Sequence, residues 1–366
     1  MPVNIGYVIS GHGFGHATRS IAVMQALSRS IEVRFTILTS VPAWLFASSL
    51  AAPHSVHAMT TDVGLIQHSA LTEDLPATLT ALEQLYPLAD VLVERASGLL
   101  HGCALVLCDI APLGIVAAKR AGIPSVLVEN FTWDWIYQGY LEQCPGLMHH
   151  INALRDLFEL ADYRVQTKPI CNPQPCDLVV EPLSRSLHAP EKIRQRFFCS
   201  PEQPLVVLTM GGIQGKQKPT IALPSLVQRL DTVFVLTGLS REDEFTTNLR
   251  FLAQDGPWYF LDLVAAADLV VGKSGYSTVA EAFQGQTAYG YVKRANFREA
   301  SVLDAFLDRY LLSWEIKEED LASGAWLEQL CRLPTAGKLV AKPNNGADQI
   351  ADFLIQKLHG EHACRI

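Results

Sequence analysis

Gly272-Lys-Ser-Gly-Tyr-Ser-Thr-Val-Ala-Glu281 follows the apolar run Leu269-Val270-Val271, and the change in texture between the two decides the fold. The aliphatic run reads as a buried strand, and Gly275 permits a close backbone turn. Ser274, Ser277 and Thr278 are candidate caps of a helix that starts near Tyr276. A strand that passes through glycine into a helix presents free N–H groups and the positive end of the helix dipole, which attract an anion, most often phosphate. Glu281 falls about one turn into that helix. There it would repel a phosphate but accept hydrogen bonds from ribose or sugar hydroxyls. The stretch reads as half of a nucleotide site; an ordinary strand-to-helix corner with a solvated Glu accounts for the same residues taken alone.

Outward from this corner the second half continues as β/α units, with strands expected at 205–209, 232–236, 258–261, 269–272 and 288–292. The first half opens the same way: a strand at 3–9, a helix at 17–29 with Ile21, Met24 and Leu27 or Ser28 on one face, and a strand at 33–38. Further strands are expected at 104–108, 124–128 and 163–166, with a helix at 113–121 stopped by Gly122 and Pro124. Strands alternating with helices imply parallel, doubly wound sheets. Between 167 and 200, prolines at 169, 173, 175, 182 and 190 interrupt the pattern and mark an interdomain connection. The 366 residues are long for a single core. The expectation is therefore two α/β domains, 1–183 and 184–346, followed by a last helix at 347–358.

Composition excludes several classes. With 49% hydrophobic and 18% charged residues the chain is globular. Its net charge of −8, with Lys and Arg scattered, gives no electrostatic footprint for nucleic acid or an anionic membrane. The N-terminus lacks a secretory signal, and no apolar run is long enough to span a bilayer. The eight cysteines form no Cys-x-x-Cys pair, which suits free thiols in a reducing cytoplasm; the close pair Cys171 and Cys176 lacks partners for a metal site.

Ser10-Gly-His-Gly-Phe-Gly-His16 joins the first strand to the first helix. It fails as a dinucleotide fingerprint, since the third glycine would fall on His16 and the second strand ends Leu38-Thr39-Ser40 without an acid. It offers instead a histidine at a helix N-terminus, where the dipole favours the neutral ring that serves as a general base; His12 and His16 as simple loop-capping groups remain the plain alternative. Leu208-Thr-Met-Gly-Gly-Ile-Gln-Gly-Lys216 is the counterpart in the second half, a glycine turn whose N–H groups suit a diphosphate but which is not a Walker loop. Asp109, at a strand's carboxyl end, is placed to orient the histidine or to bind an acceptor hydroxyl; an Asx-turn or helix cap before Pro112 accounts for it equally well. Glu129-Asn-Phe-Thr-Trp-Asp-Trp-Ile-Tyr137 reads as a sugar-binding surface or as a lid or core plug. The polar loop Asp62 to Glu73 is placed to overhang the same cleft. No Asp-x-Asp occurs, so the usual carboxylate clamp for a metal on a nucleoside diphosphate is absent.

Gly15-His16, Gly211-Gly-Ile-Gln-Gly215 and Lys273-Ser-Gly-Tyr-Ser-Thr-Val-Ala-Glu281 resemble the family 28 group of GT-B glycosyltransferases, which includes the lipid-I N-acetylglucosaminyltransferase. A closer likeness, spread over most of the chain, is to the glycosyltransferase-like N-terminal region of L-arabinokinases. It rests on Gly13-Phe-Gly-His16-Ala-Thr-Arg19, Asp62-Val-Gly with Ala70-Leu-Thr, Cys108-Asp-Ile-Ala-Pro112, Asn130-Phe-Thr-Trp-Asp134-Trp-Ile-Tyr137 and Gly272-Lys-Ser-Gly-Tyr with Thr278-Val-Ala-Glu281. No kinase portion is seen in these residues, so sugar phosphorylation is not implied.

The resemblance implies two Rossmann-like domains facing a central cleft, with an acceptor held by 1–183 and a UDP-linked nucleotide-sugar by 184–346. The tail 347–366 would cross back to the first domain. His16 would be the base, assisted by Asp109. Gly212, Gln214, Ser274, Gly275 and Thr278 would meet the diphosphate and Glu281 the ribose; Gly211 and Lys273 also fall on the donor side, and Arg185 is a looser match there. His12, Phe14, Asn130, Trp133 and Asp134 would line the acceptor side, where departures from the lipid-I enzyme concentrate and make lipid I a poor acceptor. Neither metal nor cofactor is expected. A nucleotide-sugar epimerase and a non-catalytic nucleotide-sugar binding protein are the rival readings; acceptor, sugar, stereochemistry and oligomeric state are not encoded legibly.

Overall fold

The computed structural model describes residues 2–69, 71–210, 221–294, 296–333 and 344–363, with backbone alone at 360–363. Each half folds around one seven-stranded sheet. The first comprises β1 (Val3–Ile9), β2 (Val33–Thr39), β3 (His54–Ala58), β4 (Leu105–Asp109), β5 (Ser125–Glu129), β6 (Tyr163–Thr167) and β7 (Leu178–Val180), in the spatial order β3-β2-β1-β4-β5-β6-β7. Every pairing in it is parallel. The second comprises β8 (Leu205–Thr209), β9 (Val233–Ser240), β10 (Glu244–Phe245), β11 (Leu249–Ala253), β12 (Leu269–Lys273), β13 (Ala288–Val292) and β14 (Ser313–Ile316), in the order β10-β11-β9-β8-β12-β13-β14. All of its neighbours are parallel except β10 against β11. β4, β5, β8, β12 and β13 are buried at every position. That is why they read as unbroken apolar runs and not as alternating ones.

The strand orders fix where a ligand can sit. From β1 the chain builds β2 and β3 on one side, then returns to place β4 on the other; from β8 it does the same, with β12 laid opposite β9. Open parallel sheets bind ligands outside the carboxyl ends of the strands at such a reversal. The Ser10 to His16 loop and Asp109 lie at the first reversal, and Lys273 to Gly275 at the second. β12 reaches β8 closely because residue 272 has no side chain: a Cβ there would lie 1.9 Å from the Thr209 carbonyl oxygen.

Two helices bridge the halves. Tyr276–Gly285 packs against Gly15–Ser30, and Gly346–Ala363 packs against that same first helix and β7. Asp348 forms an ion pair with Arg29, and Gln349 Oε1 accepts from the Glu181 N–H at 2.8 Å. The apolar face of Gly15–Ser30 is thereby covered from both sides, which accounts for the burial of Ile21, Val23, Met24 and Leu27.

The strand expected at 258–261 is a correction. Phe260–Ala266 is a helix, and the strand lies earlier, at β11. A four-residue apolar run does not distinguish the two periods; here Asp262 accepts from the His188 and Ala189 N–H groups, at 2.9 Å each, which pins the segment to the connection between the halves. The short edge strands β3, β7, β10 and β14 were not foreseen, being brief or polar. No helix among the described residues is long and apolar enough to cross a membrane.

Candidate functional site

One cleft lies between the two sheets. His12, Phe14, His16, Arg19 and Phe131 line it from the first half; Arg185, Lys273, Gly275, Thr278, Glu281, Arg294 and Glu299 line it from the second.

On the first side, the helix begins at Gly15, earlier than its apolar pattern indicates, so His16 sits in its first turn. Its Nδ1 lies 2.8 Å from Oδ1 of Asp109, the last residue of β4 and the register partner of Ile9. Arg19 follows His16 by three positions and so shares its face. Its Nε and Nη2 donate to both oxygens of Asp109, at 2.7 and 2.6 Å, and Ser20 Oγ donates at 3.1 Å. Burial alone would raise the Asp109 pKa, but Arg19 and His16 outweigh it and hold the carboxyl below its ordinary range. A carboxylate only accepts, so the His16 Nδ1 carries a proton, and in the neutral ring the lone pair falls on Nε2. Arg19 Nη1 also donates to Asn130 Oδ1 at 2.6 Å, and Asn130 Nδ2 to Glu299 Oε1 at 2.8 Å, so the network crosses the cleft.

His12 is held differently. Its Nδ1 accepts from the Leu65 N–H at 3.3 Å, and Gly64, with φ +65, brings that backbone against the ring. Burial, then the neighbouring His16, Lys273 and Arg294, push its pKa well below the imidazole range, so it stays neutral. Asp62 accepts from the Gly11 N–H at 3.2 Å and Trp133 Nε1 at 2.7 Å, tying the histidine loop to the Trp133–Gln138 helix.

On the second side, the helix opens at Tyr276 as expected, but the expected caps do not form: its N-cap is Gly275, without a side-chain hydrogen bond. Ser274, wholly buried, donates to Asp304 Oδ1 at 2.5 Å. Ser277 Oγ donates to the Gly15 carbonyl at 2.6 Å and accepts from Thr18 Oγ1 at 2.7 Å. The serines thus secure the strand end and the contact between halves, while the uncapped helix start meets the cleft through Gly275, where a Cβ would find no atom within 4 Å. Glu281 Oε1 accepts from Arg185 Nε at 2.8 Å, and the Arg185 guanidinium lies 4.7 Å from the Tyr259 ring centre. The two residues, expected as separate donor contacts, form one buried ion pair. Lys273 is 8% exposed, and its amine has no partner among the described residues. Burial, then Arg294, lowers its pKa to about 7.

Three expected acceptor residues are corrected. Asn130 is wholly enclosed between Arg19 and Glu299, Trp133 is consumed by Asp62 and stacking on Tyr137, and Asp134 faces Arg155; none lines the cleft. Of that aromatic stretch Phe131 alone reaches it. Gly211, Gly212 and Gln214 lie outside the described residues. Arg19, Asp62, Arg294 and Glu299 were not assigned from sequence. Arg19 carried a legible signal, its spacing from His16; Glu299 and Arg294 carried none. Among the described residues no three His, Cys, Asp or Glu side chains converge as a metal-ligand set.

No family model matches the chain. L-arabinokinase of Arabidopsis thaliana is 30% identical over 369 aligned residues, covering 97% of this chain and 34% of the relative, so the chain spans about a third of that protein's length. Among solved structures, Arabidopsis thaliana UGT89C1 complexed with UDP aligns over 97% of this chain and 99% of its own at 14% identity and TM-score 0.60. Acinetobacter baumannii MurG aligns over 97% and 100% at 16% identity and TM-score 0.53. With two parallel sheets, reversals facing one cleft and these neighbours, the chain has the two-domain GT-B glycosyltransferase fold.

Proposed function

We propose that the protein is a metal-independent glycosyltransferase that moves a sugar from a nucleoside-diphosphate donor, UDP-linked, to a hydroxyl or amine of a small acceptor. The carrying observation is His16, whose Nδ1 is fixed by Asp109 at 2.8 Å while its ring borders the same cleft as the uncapped helix at Tyr276. In the proposed step His16 Nε2 takes the acceptor proton as the acceptor atom bonds to the anomeric carbon. The bond from that carbon to the diphosphate oxygen breaks, and its electron pair leaves with the diphosphate. The helix N–H groups and dipole meet the growing negative charge. Residues 1–183 hold the acceptor and 184–346 the donor in this reading, and UDP in a solved neighbour supports the choice of nucleotide. A cytoplasmic setting is part of the proposal; the described cysteines are all free thiols. Phosphorylation is not carried over from the relative, of which the chain spans a third.

His16→Ala tests the reading: transfer should fall about 100- to 10,000-fold while donor affinity is retained. Unchanged transfer would remove His16 from the mechanism, and donor binding without transfer to any acceptor in the unaltered protein would favour a binding protein.

A further inference from the structure

Among the described residues, one cation of the cleft has no partner in the fold. Arg19 is matched by Asp109, Arg185 by Glu281, and Arg294 by Glu73 at 3.0 Å. Lys273 has no such partner among the described residues, although it is more than nine-tenths buried and borders the cleft. Arg294, stacked 3.9 Å over the Phe297 ring, keeps its Nε buried without a hydrogen-bond partner among the described residues. Glu299 does not compensate Lys273: it receives the Asn130 amide, and burial raises its pKa, moving it towards the neutral acid. A buried ammonium without a hydrogen-bonded counter-ion is costly, and so is a buried N–H with no acceptor. The ammonium borders the cleft and points to a missing anion there, and the Arg294 guanidinium adds its positive charge nearby. Lys273 ends β12, Arg294 follows β13 and Glu299 opens the helix Arg298–Tyr310, so all three belong to the half that holds the donor in the reading above.

We propose that Lys273 and Arg294 form a carboxylate subsite for the transferred sugar, with Glu299 bonding hydroxyls of the same ring, so that the donor is a nucleoside-diphosphate uronate. This rests on the donor reading of the cleft. The ammonium must be charged to act. Burial and then Arg294 disfavour its proton, and Glu299 and Glu73 favour it. A bound carboxylate adds to the favourable side, so binding takes up a proton, and affinity for a uronate donor is constant below about pH 7 and falls above it.

The test is calorimetric titration with UDP, UDP-glucose and UDP-glucuronate of the unaltered protein, Lys273→Met and Lys273→Arg, each first shown to be folded by its melting transition. The subsite predicts that the uronate binds about 10- to 100-fold tighter than the neutral hexose, the range of one charge-assisted pair. Lys273→Met should erase that preference while changing UDP affinity far less, and Lys273→Arg should keep most of it. Equal affinity for the two sugars would overturn the inference while leaving the glycosyltransferase reading intact. A uniform loss of all three ligands in Lys273→Met would overturn it too, moving Lys273 to the diphosphate. Failure of UDP and both sugars to bind the unaltered protein would overturn both.

Discussion

The two faces of the cleft are built on opposite plans. On the first, His16, Asp109, Arg19, Ser20 and Asn130 satisfy one another at 2.6 to 3.1 Å, and the network is complete without a ligand. On the second, the helix at Tyr276 has no side-chain cap, Lys273 is buried without a partner among the described residues, and Arg294 Nε is unmatched. A satisfied network holds a base at fixed tautomer and orientation; an unsatisfied one stores free energy that a bound anion releases. The contrast assigns rigidity to the group that moves a proton and incompleteness to the group that receives charge.

The largest effect that would break this comparison is at Asp109. Asp109→Ala leaves Arg19 buried without its carboxylate, and we expect a stability loss of about 3 to 5 kcal/mol in denaturant titration. A loss under about 1 kcal/mol would mean the first face is not a closed network. Next is the buried pair on the second face. Glu281→Ala should lower stability by a similar amount through Arg185 and weaken nucleotide binding about tenfold or more. The double variant Arg185→Met with Glu281→Leu separates the two roles: stability should recover while nucleotide affinity does not. Recovery of both would leave Glu281 a purely structural residue.

How much of this was legible follows from the kind of interaction involved. The β/α alternation and strands β8 and β13 stand in the sequence because buried parallel strands are continuous apolar runs. The helix start at Tyr276 is legible because glycine marks it. His16 and Asp109 each follow a strand end, and the fold brings those ends together at one reversal. Asn130, Trp133 and Asp134 misled because polar and aromatic residues beside one another look alike whether they line a surface or satisfy buried partners; Asn130 is consumed by Arg19 and Glu299, a pairing that spans 169 positions in the second case. The serine caps misled for a related reason, since their hydroxyls are drawn to Asp304 and Gly15, which local pattern does not register.

Smaller effects sharpen the second face. Burial lowers Lys273 from 10.5 to about 7, whereas the unfolded chain holds its proton up to the ordinary value. The unfolded state therefore binds more protons between about pH 7 and 10.5, and this destabilising contribution is full below pH 7 and fades as pH rises. Lys273→Met should be more stable than the unaltered protein by on the order of 1 to 3 kcal/mol at pH 7, with the gap closing towards pH 10. A gap that widened with pH would show that Lys273 is already paired. The smallest expected change is Ser277→Ala, which removes the hydroxyl between Gly15 and Thr18 at a cost of about 0.5 to 1.5 kcal/mol in thermal unfolding and leaves the strand-end bond of Ser274 intact.

The central claim, a finished base facing an unfinished anion cradle, is tested most directly by calorimetric titration of UDP into the unaltered protein and His16→Ala. The account predicts one site in each, with affinities within about twofold, because the cradle belongs to the helix at Tyr276 and not to the base. No binding to either protein, or binding abolished by His16→Ala, would contradict it.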